Sequence, residues 1–180
     1  MPLLFNSHGR LGTVDTDGRN ERYLSFDIPD QVSWGYGPQF ADGRRMILTS
    51  YEEGKAWEGN VRTHLWIYDR DDDRIVEEIA TENNPAPFMG CCAILPGEHR
   101  IITNPIIDGE QRVWTMSLDG SDPQEVTRAG EGFTYCVMLS PDAQKLAFHA
   151  TMIPDHPGYR IFTTDLNGGN RIEITGDPDH

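Results

Sequence analysis

The chain has 180 residues, enough for one core. Its 29 acidic against 15 basic side chains leave a net charge of −14, which excludes a nucleic-acid surface, since that needs a basic face. No apolar run approaches the roughly 20 residues of a membrane helix, and MPLLFNSHGR lacks the basic start and long apolar stretch of a signal peptide.

Two hairpin patterns alternate along the chain. The first pattern in chain order is RLGTVDTDGRNERYL (10–24), turning at Asp17-Gly18; it returns at 64–79, 112–127 and 160–175 with turns at Asp71-Asp72, Asp119-Gly120 and Asn167-Gly168. Asp-Gly and Asn-Gly supply the positive φ of tight hairpins. The second pattern is QFADGRRMILTS (39–50), repeated at 93–104 and 135–150 with turns at Gly97-Glu98 and Asp142-Ala143. Equivalent residues such as Met46, Ile101 and Leu146 stand about fifty residues apart. Each repeat is therefore four short antiparallel strands, A to D, that cannot bury both faces alone. Radial stacking gives an all-β fold, a β-propeller. The blades fall at 1–26 (strands B, C and D only), 34–80, 88–127 and 134–175. These are three and three-quarter blades, and the expectation is a piece of a longer propeller of about six to eight blades, or a part that needs a partner to close it. Trp66, Trp114 and Phe162 share one repeat position and read as packing between blades.

In such blades the A–B and C–D turns share one face, and the longer B–C and D–A connections share the other. Variable loops on a rigid scaffold are where sites are built. Asn6, Thr49, Asn104 and His149 are equivalent residues at the end of strand B on this loop face. Arg10, His64, Arg112 and Arg160 open strand C, a recurring cationic or imidazole group that suits an anionic ligand; pairing with loop carboxylates such as Asp108, Glu110 or Asp155 is the other reading. In strand A, Tyr36, Cys91 and Cys136 are equivalent, preceded by Gly35, Gly90 and Tyr135, and should line the channel. Cys91, Cys92 and Cys136 form no C-x-x-C pair, which argues against a disulfide framework and points to a reducing compartment, the cytoplasm before the periplasm. His8, His99 and His156 read as surface residues. Tyr51 and Trp57, in the longest loop, could stack on sugar faces or pack the loop.

The stretch SPDAQKLAFHA … YRIFTTDLNGGNRIEIT resembles the TolB-like propeller repeats, and the likeness runs through the chain. IPDQVSWGYGPQFADGRRMILTSYEEGKAW (28–57) with GEQRVWTMSLDGS (109–121) resembles the oligogalacturonate lyases, propeller enzymes of pectin breakdown. The matching features are Trp34-Gly35-Tyr36-Gly37 in strand A and Arg112-Val113-Trp114 in strand C. That resemblance implies β-elimination on uronate-containing oligosaccharides, with Arg112 as the catalytic residue taking the C5 proton. It also implies a manganese ion, held by His and Gln, on the substrate carboxylate. The ligands would lie in blades beyond this chain. On chemical grounds an Arg, with a pKa above about 12, clamps a carboxylate better than it removes a proton. Arg160, His64, Tyr36, Tyr135, His149 and Trp57 are the substrate-binding candidates, and Tyr36, Tyr135 and His149 are alternative acids or bases. The competing expectation is a non-catalytic TolB-like propeller that binds a protein partner.

Overall fold

The computed structural model describes residues 2–53, 62–79, 91–151 and 158–175, with the side chains of Cys91 and Cys92 excepted. Trp57, Gly90, Asp155 and His156 lie outside the described residues. Four antiparallel sheets are arranged as the blades of a β-propeller. Blade 1 has three strands, β1 (Leu3–Ser7), β2 (Arg10–Val14) and β3 (Arg22–Tyr23). Blade 2 runs β4 (Ser33–Gln39), β5 (Arg45–Tyr51), β6 (Thr63–Asp69) and β7 (Arg74–Ile79). Blade 3 runs β8 (Cys91–Ile94), β9 (Arg100–Thr103), β12 (Trp114–Ser117) and β13 (Gln124–Glu125). Blade 4 runs β14 (Phe133–Leu139), β15 (Lys145–Thr151), β16 (Arg160–Asp165) and β17 (Ile172–Glu173).

The turns follow from local chemistry. The A–B turn closes with the same two backbone bonds in three blades. Phe40 N, Leu95 N and Ser140 N donate to Arg45 O, Arg100 O and Lys145 O, while Gly43 N, Glu98 N and Ala143 N reach back to Phe40 O, Leu95 O and Ser140 O. The residue at the tip then needs positive φ, which Gly43 adopts freely and Ala143, at 55°, adopts under strain.

Each blade presents one face to the blade before it and one to the blade after it. Leu11 meets Met46, Leu48, Trp66 and Tyr68 between blades 1 and 2. Ile47, Leu65, Ile67 and Ile79 meet Ile101 and Met116 between blades 2 and 3. Ile102, Val113 and Val126 meet Leu146 and Phe148 between blades 3 and 4. The core is thus three apolar seams, and burial of these side chains is the main stabilising term. Ion pairs tie the seams at their edges: Arg22 to Asp73 (2.6 Å), Arg45 to Glu98 (3.6 Å) and Arg171 to Glu131 (2.6 Å).

One expected loop is different. Residues 105–111 contain a small hairpin, β10 (Ile106–Ile107) with β11 (Glu110–Gln111). Asp108 and Gly109 make its tip at positive φ, and Ile106 is buried. Strand C of blade 3 accordingly begins at Trp114, two residues beyond Arg112.

Candidate functional site around Arg112

Arg112 links β11 to β12, and its N–H donates to Pro105 O (2.9 Å). Buried hydroxyls hold this segment against blade 4. Thr127 Oγ1 accepts from Val113 N (2.8 Å), lies 3.1 Å from Thr134 Oγ1, and Thr134 Oγ1 donates to Gln111 O (2.9 Å). The Arg112 backbone is thereby fixed on both sides, and alternation along the strand turns its side chain toward blade 2 with Trp114 and Met116. The guanidinium is buried. Nη1 is 3.5 Å from Glu125 and Nη2 is 3.4 Å from Glu110, both long for charged hydrogen bonds. Arg112 Nε, Trp114 Nε1 and Thr63 Oγ1 are buried with no hydrogen-bond partner among the described residues. All three belong to the loop end of the seam between blades 2 and 3. A reason is visible for Trp114. In blade 2 the equivalent Trp66 Nε1 donates to Ser50 Oγ (2.7 Å), and Pro105, with no hydroxyl, stands at that place in blade 3.

The other repeated cations are more fully engaged inside their own blades. His64 bonds Glu78 through Nδ1 (2.6 Å) and Glu52 through Nε2 (3.1 Å), and its ring stacks on Trp66 at 5.7 Å. Arg160 Nη1 donates to Thr175 O (3.2 Å), and its Nε is 3.5 Å from Glu173. Glu78, Glu125 and Glu173 sit opposite Trp66, Trp114 and Phe162 in register, so the acid partner is itself a repeat feature on strand D. In blade 1 that position is Tyr23, and the Arg10 guanidinium lies 4.0 Å above its ring. Arg10, His64, Arg112 and Arg160 thus occupy successive blades, and each has contacts inside its own blade.

Tyr135 and His149 do come together. They are paired in register, their rings 5.8 Å apart, and Tyr159 closes a triangle at 6.2 and 6.4 Å. The Tyr159 phenol, and then burial, push the Tyr135 hydroxyl up to about 12, so at neutral pH it is a proton donor rather than a base. The cluster lies on the face of blade 4 that follows in the ring, away from Arg112. Tyr36 is exposed on inner strand β4. Cys136 is exposed at a bulge in β14 with φ of 52°. On the opposite, turn face, Glu77, Glu98, His99, Ser117, Leu118 and Asp119 line an open cavity of about 410 Å³.

Among the described residues no group of three or more His, Cys, Asp or Glu is placed to hold a metal. The described residues therefore supply no ligand set for the manganese ion that the lyase resemblance implies.

Thr63, Glu125 and the Thr127–Thr134 pair escape a sequence reading, because nothing local marks a Thr or Glu as facing another blade. The signal that could have found Glu125 is its recurrence with Glu78 and Glu173.

No protein-family model and no curated protein matches the chain. Solved structures do. Oligogalacturonate lyase in complex with manganese superposes with a TM-score of 0.70 at 15% identity, over 97% of this chain and 50% of that one. The oligogalacturonate lyase from Vibrio parahaemolyticus gives 0.70 at 14%, over 98% and 50%. TolB from Acinetobacter baumannii gives 0.56 at 14%, over 92% and 48%. The chain thus spans about half the length of each of these proteins, and at such identities the likeness establishes the β-propeller fold that TolB and the oligogalacturonate lyases share.

Proposed function

We propose that the chain carries the carboxylate-binding part of a carbohydrate-active propeller that cleaves uronate-containing oligosaccharides by β-elimination. The observation that carries this reading is the under-committed guanidinium of Arg112. It has five N–H donors, two long contacts and a buried Nε with no partner among the described residues. A uronate carboxylate at the loop end of the seam would take over the terminal nitrogens, whose contacts with Glu110 and Glu125 are long. In the reaction the C5 proton leaves to a base, the C–H electron pair forms the C4–C5 double bond, the C4–O bond breaks, and the leaving oxygen gains a proton. Negative charge builds on the C6 carboxylate as the proton departs, and a fixed guanidinium in a water-poor seam stabilises it. Tyr36, exposed on the neighbouring inner strand, is the candidate to exchange a proton with substrate.

The second reading is a TolB-like scaffold for a protein partner. It is supported by the engagement of His64 and Arg160 with carboxylates of their own blades, which lessens the cationic character of the loop face.

The experiment is a spectrophotometric assay for the unsaturated uronate product. Oligogalacturonides and other uronates would be offered with and without added Mn2+. Arg112→Met is the test variant. Activity lost in this variant while its urea midpoint holds or rises supports the clamp, because a guanidinium kept for function is not kept for stability. No product from any uronate, followed by capture of a specific protein, would favour the scaffold.

A further inference from the structure

We propose that one buried water molecule is held at the loop end of the seam between blades 2 and 3. Trp114 Nε1 and Arg112 Nε donate to it, and Thr63 Oγ1 accepts from it.

Two alternations bring these groups to one level. Thr63, Leu65 and Ile67 lie on the face of β6 turned toward blade 3, and Arg112, Trp114 and Met116 lie on the facing side of blade 3. Leu65 and Ile67 share a buried cluster with Met116. One step from Leu65 and from Met116 toward the loop end reaches Thr63 and Trp114, and the next residue on that side of blade 3 is Arg112. Thr63 is 2%, Arg112 7% and Trp114 9% exposed. Their Oγ1, Nε and Nε1 atoms have no hydrogen-bond partner among the described residues. Buried polar groups in native proteins almost always meet a protein partner or an ordered water.

The repeat acts as an internal control. One residue of strand B stands opposite the group that opens strand C: Ser50 pairs with His64, Ala150 pairs with Arg160, and Pro105 O accepts from Arg112 N. In blade 2, Ser50 Oγ supplies the acceptor for Trp66 Nε1 at 2.7 Å. In blade 4, Ala150 has no hydroxyl, and Phe162 has no N–H that needs one. Blade 1 has Gly12 at the place of the tryptophan. Blade 3 keeps the indole N–H of Trp114 but has Pro105 where blade 2 has Ser50. Donor and acceptor are thus matched elsewhere and mismatched in blade 3, beside a second donor and a hydroxyl in the same state. The repeated cations differ in the same way. Both ring nitrogens of His64 are bonded, and Arg160 Nε has Glu173 at 3.5 Å.

The three groups select water over an anion. A buried water makes about three hydrogen bonds, and it can accept two N–H bonds while donating to a hydroxyl oxygen. An anion would enter beside one guanidinium that already faces two carboxylates, Glu110 at 3.4 Å and Glu125 at 3.5 Å. Negative charge is in excess there before it arrives, and repulsion in a buried seam is strong. Water adds no charge. It also ties Arg112 Nε to blade 2, which fixes the plane of the guanidinium and leaves Nη1 and Nη2 to Glu125 and Glu110. The site is independent of uronate cleavage, because it uses the nitrogen that a carboxylate would not take.

The test is a high-resolution crystal structure of the protein with and without sodium bromide, together with urea midpoints of Thr63→Val, Trp114→Phe and the double variant. The expected result is one water peak within roughly 2.7–3.2 Å of Trp114 Nε1, Arg112 Nε and Thr63 Oγ1, with no anomalous bromide signal. Each single variant should lower the midpoint, and the double variant should lose less than the sum, because both groups act through one molecule. No peak, a bromide at the site, a protein acceptor on Trp114 Nε1 or Arg112 Nε, or additive losses would overturn the proposal. Where a variant does not fold, the crystallographic result decides the question by itself.

Discussion

Gly18 and Gly168 make a matched pair that measures how closely blades 3 and 4 approach. Each sits in the C–D turn of its blade. Asp15 N bonds Arg19 O and Gly18 N bonds Asp15 O, and Asp165 N bonds Gly169 O and Gly168 N bonds Asp165 O, all at 2.9 Å. The φ values are 78° and 82°. A methyl on Gly18 would meet nothing within 4 Å, whereas one on Gly168 would lie 2.3 Å from the carbonyl oxygen of Val126 in blade 3. An alanine in the left-handed region costs roughly 1–2 kcal/mol, and the stiffer unfolded chain returns roughly 0.4–1 kcal/mol. Gly18→Ala should therefore destabilise by about 1 kcal/mol. Gly168→Ala adds an overpacking cost of roughly 1–3 kcal/mol, because backbone cannot move as a flexible side chain can. Its total is about 2–4 kcal/mol. Urea unfolding at one protein concentration, followed by circular dichroism, gives both values from midpoint and slope. Equal losses in the two variants would refute the close approach of the Gly168 turn to the Val126 carbonyl.

Ala143→Gly should raise the urea midpoint, since Ala143 holds φ of 55° where blade 2 has Gly43; the relief is at most about 1 kcal/mol, and a lowered midpoint would contradict it. Ser50→Ala should cost about 1–3 kcal/mol in the same assay, because it leaves the buried Trp66 N–H without its acceptor; an unchanged midpoint would mean that Trp66 finds another. Backbone N–H and the guanidinium of Arg45 hold Asp42 at about 2, and the Arg44 guanidinium holds Asp69 at about 2. Both are lowered in the folded state, so their stabilisation is complete above about pH 4 and is lost as pH falls from there to about 2. Asp42→Asn and Asp69→Asn should each flatten the acid limb of a stability-versus-pH curve, and curves parallel to wild type would sink the assignment. Arg112→Met should abolish uronate cleavage while keeping or raising the urea midpoint; a large loss of stability would make Arg112 a structural residue.

The propeller is legible in the sequence because its causes are local. Asp-Gly, Asn-Gly and their relatives force tight turns, the alternation of strands such as RMILTSY and THLWIYD buries one residue in two on each face, and the fifty-residue recurrence of Met46, Ile101 and Leu146 repeats the unit. The role of Trp66 as seam packing is local knowledge of the same kind. The candidate site is only partly legible. Arg112, Tyr135 and His149 could be singled out from their repeat positions, but their partners could not. Glu78, Glu125 and Glu173 face the repeated cations through strand register. The triangle of Tyr135, His149 and Tyr159 exists because a loop returns beside two paired strands. Arg112 Nε, Trp114 Nε1 and Thr63 Oγ1, without a partner among the described residues, belong to two blades that the chain visits about fifty residues apart. Residue chemistry and spacing determine each blade by themselves. Which charges cancel and which apolar side chains meet in a seam depend on how one blade is set against the next, and only the tertiary structure decides that.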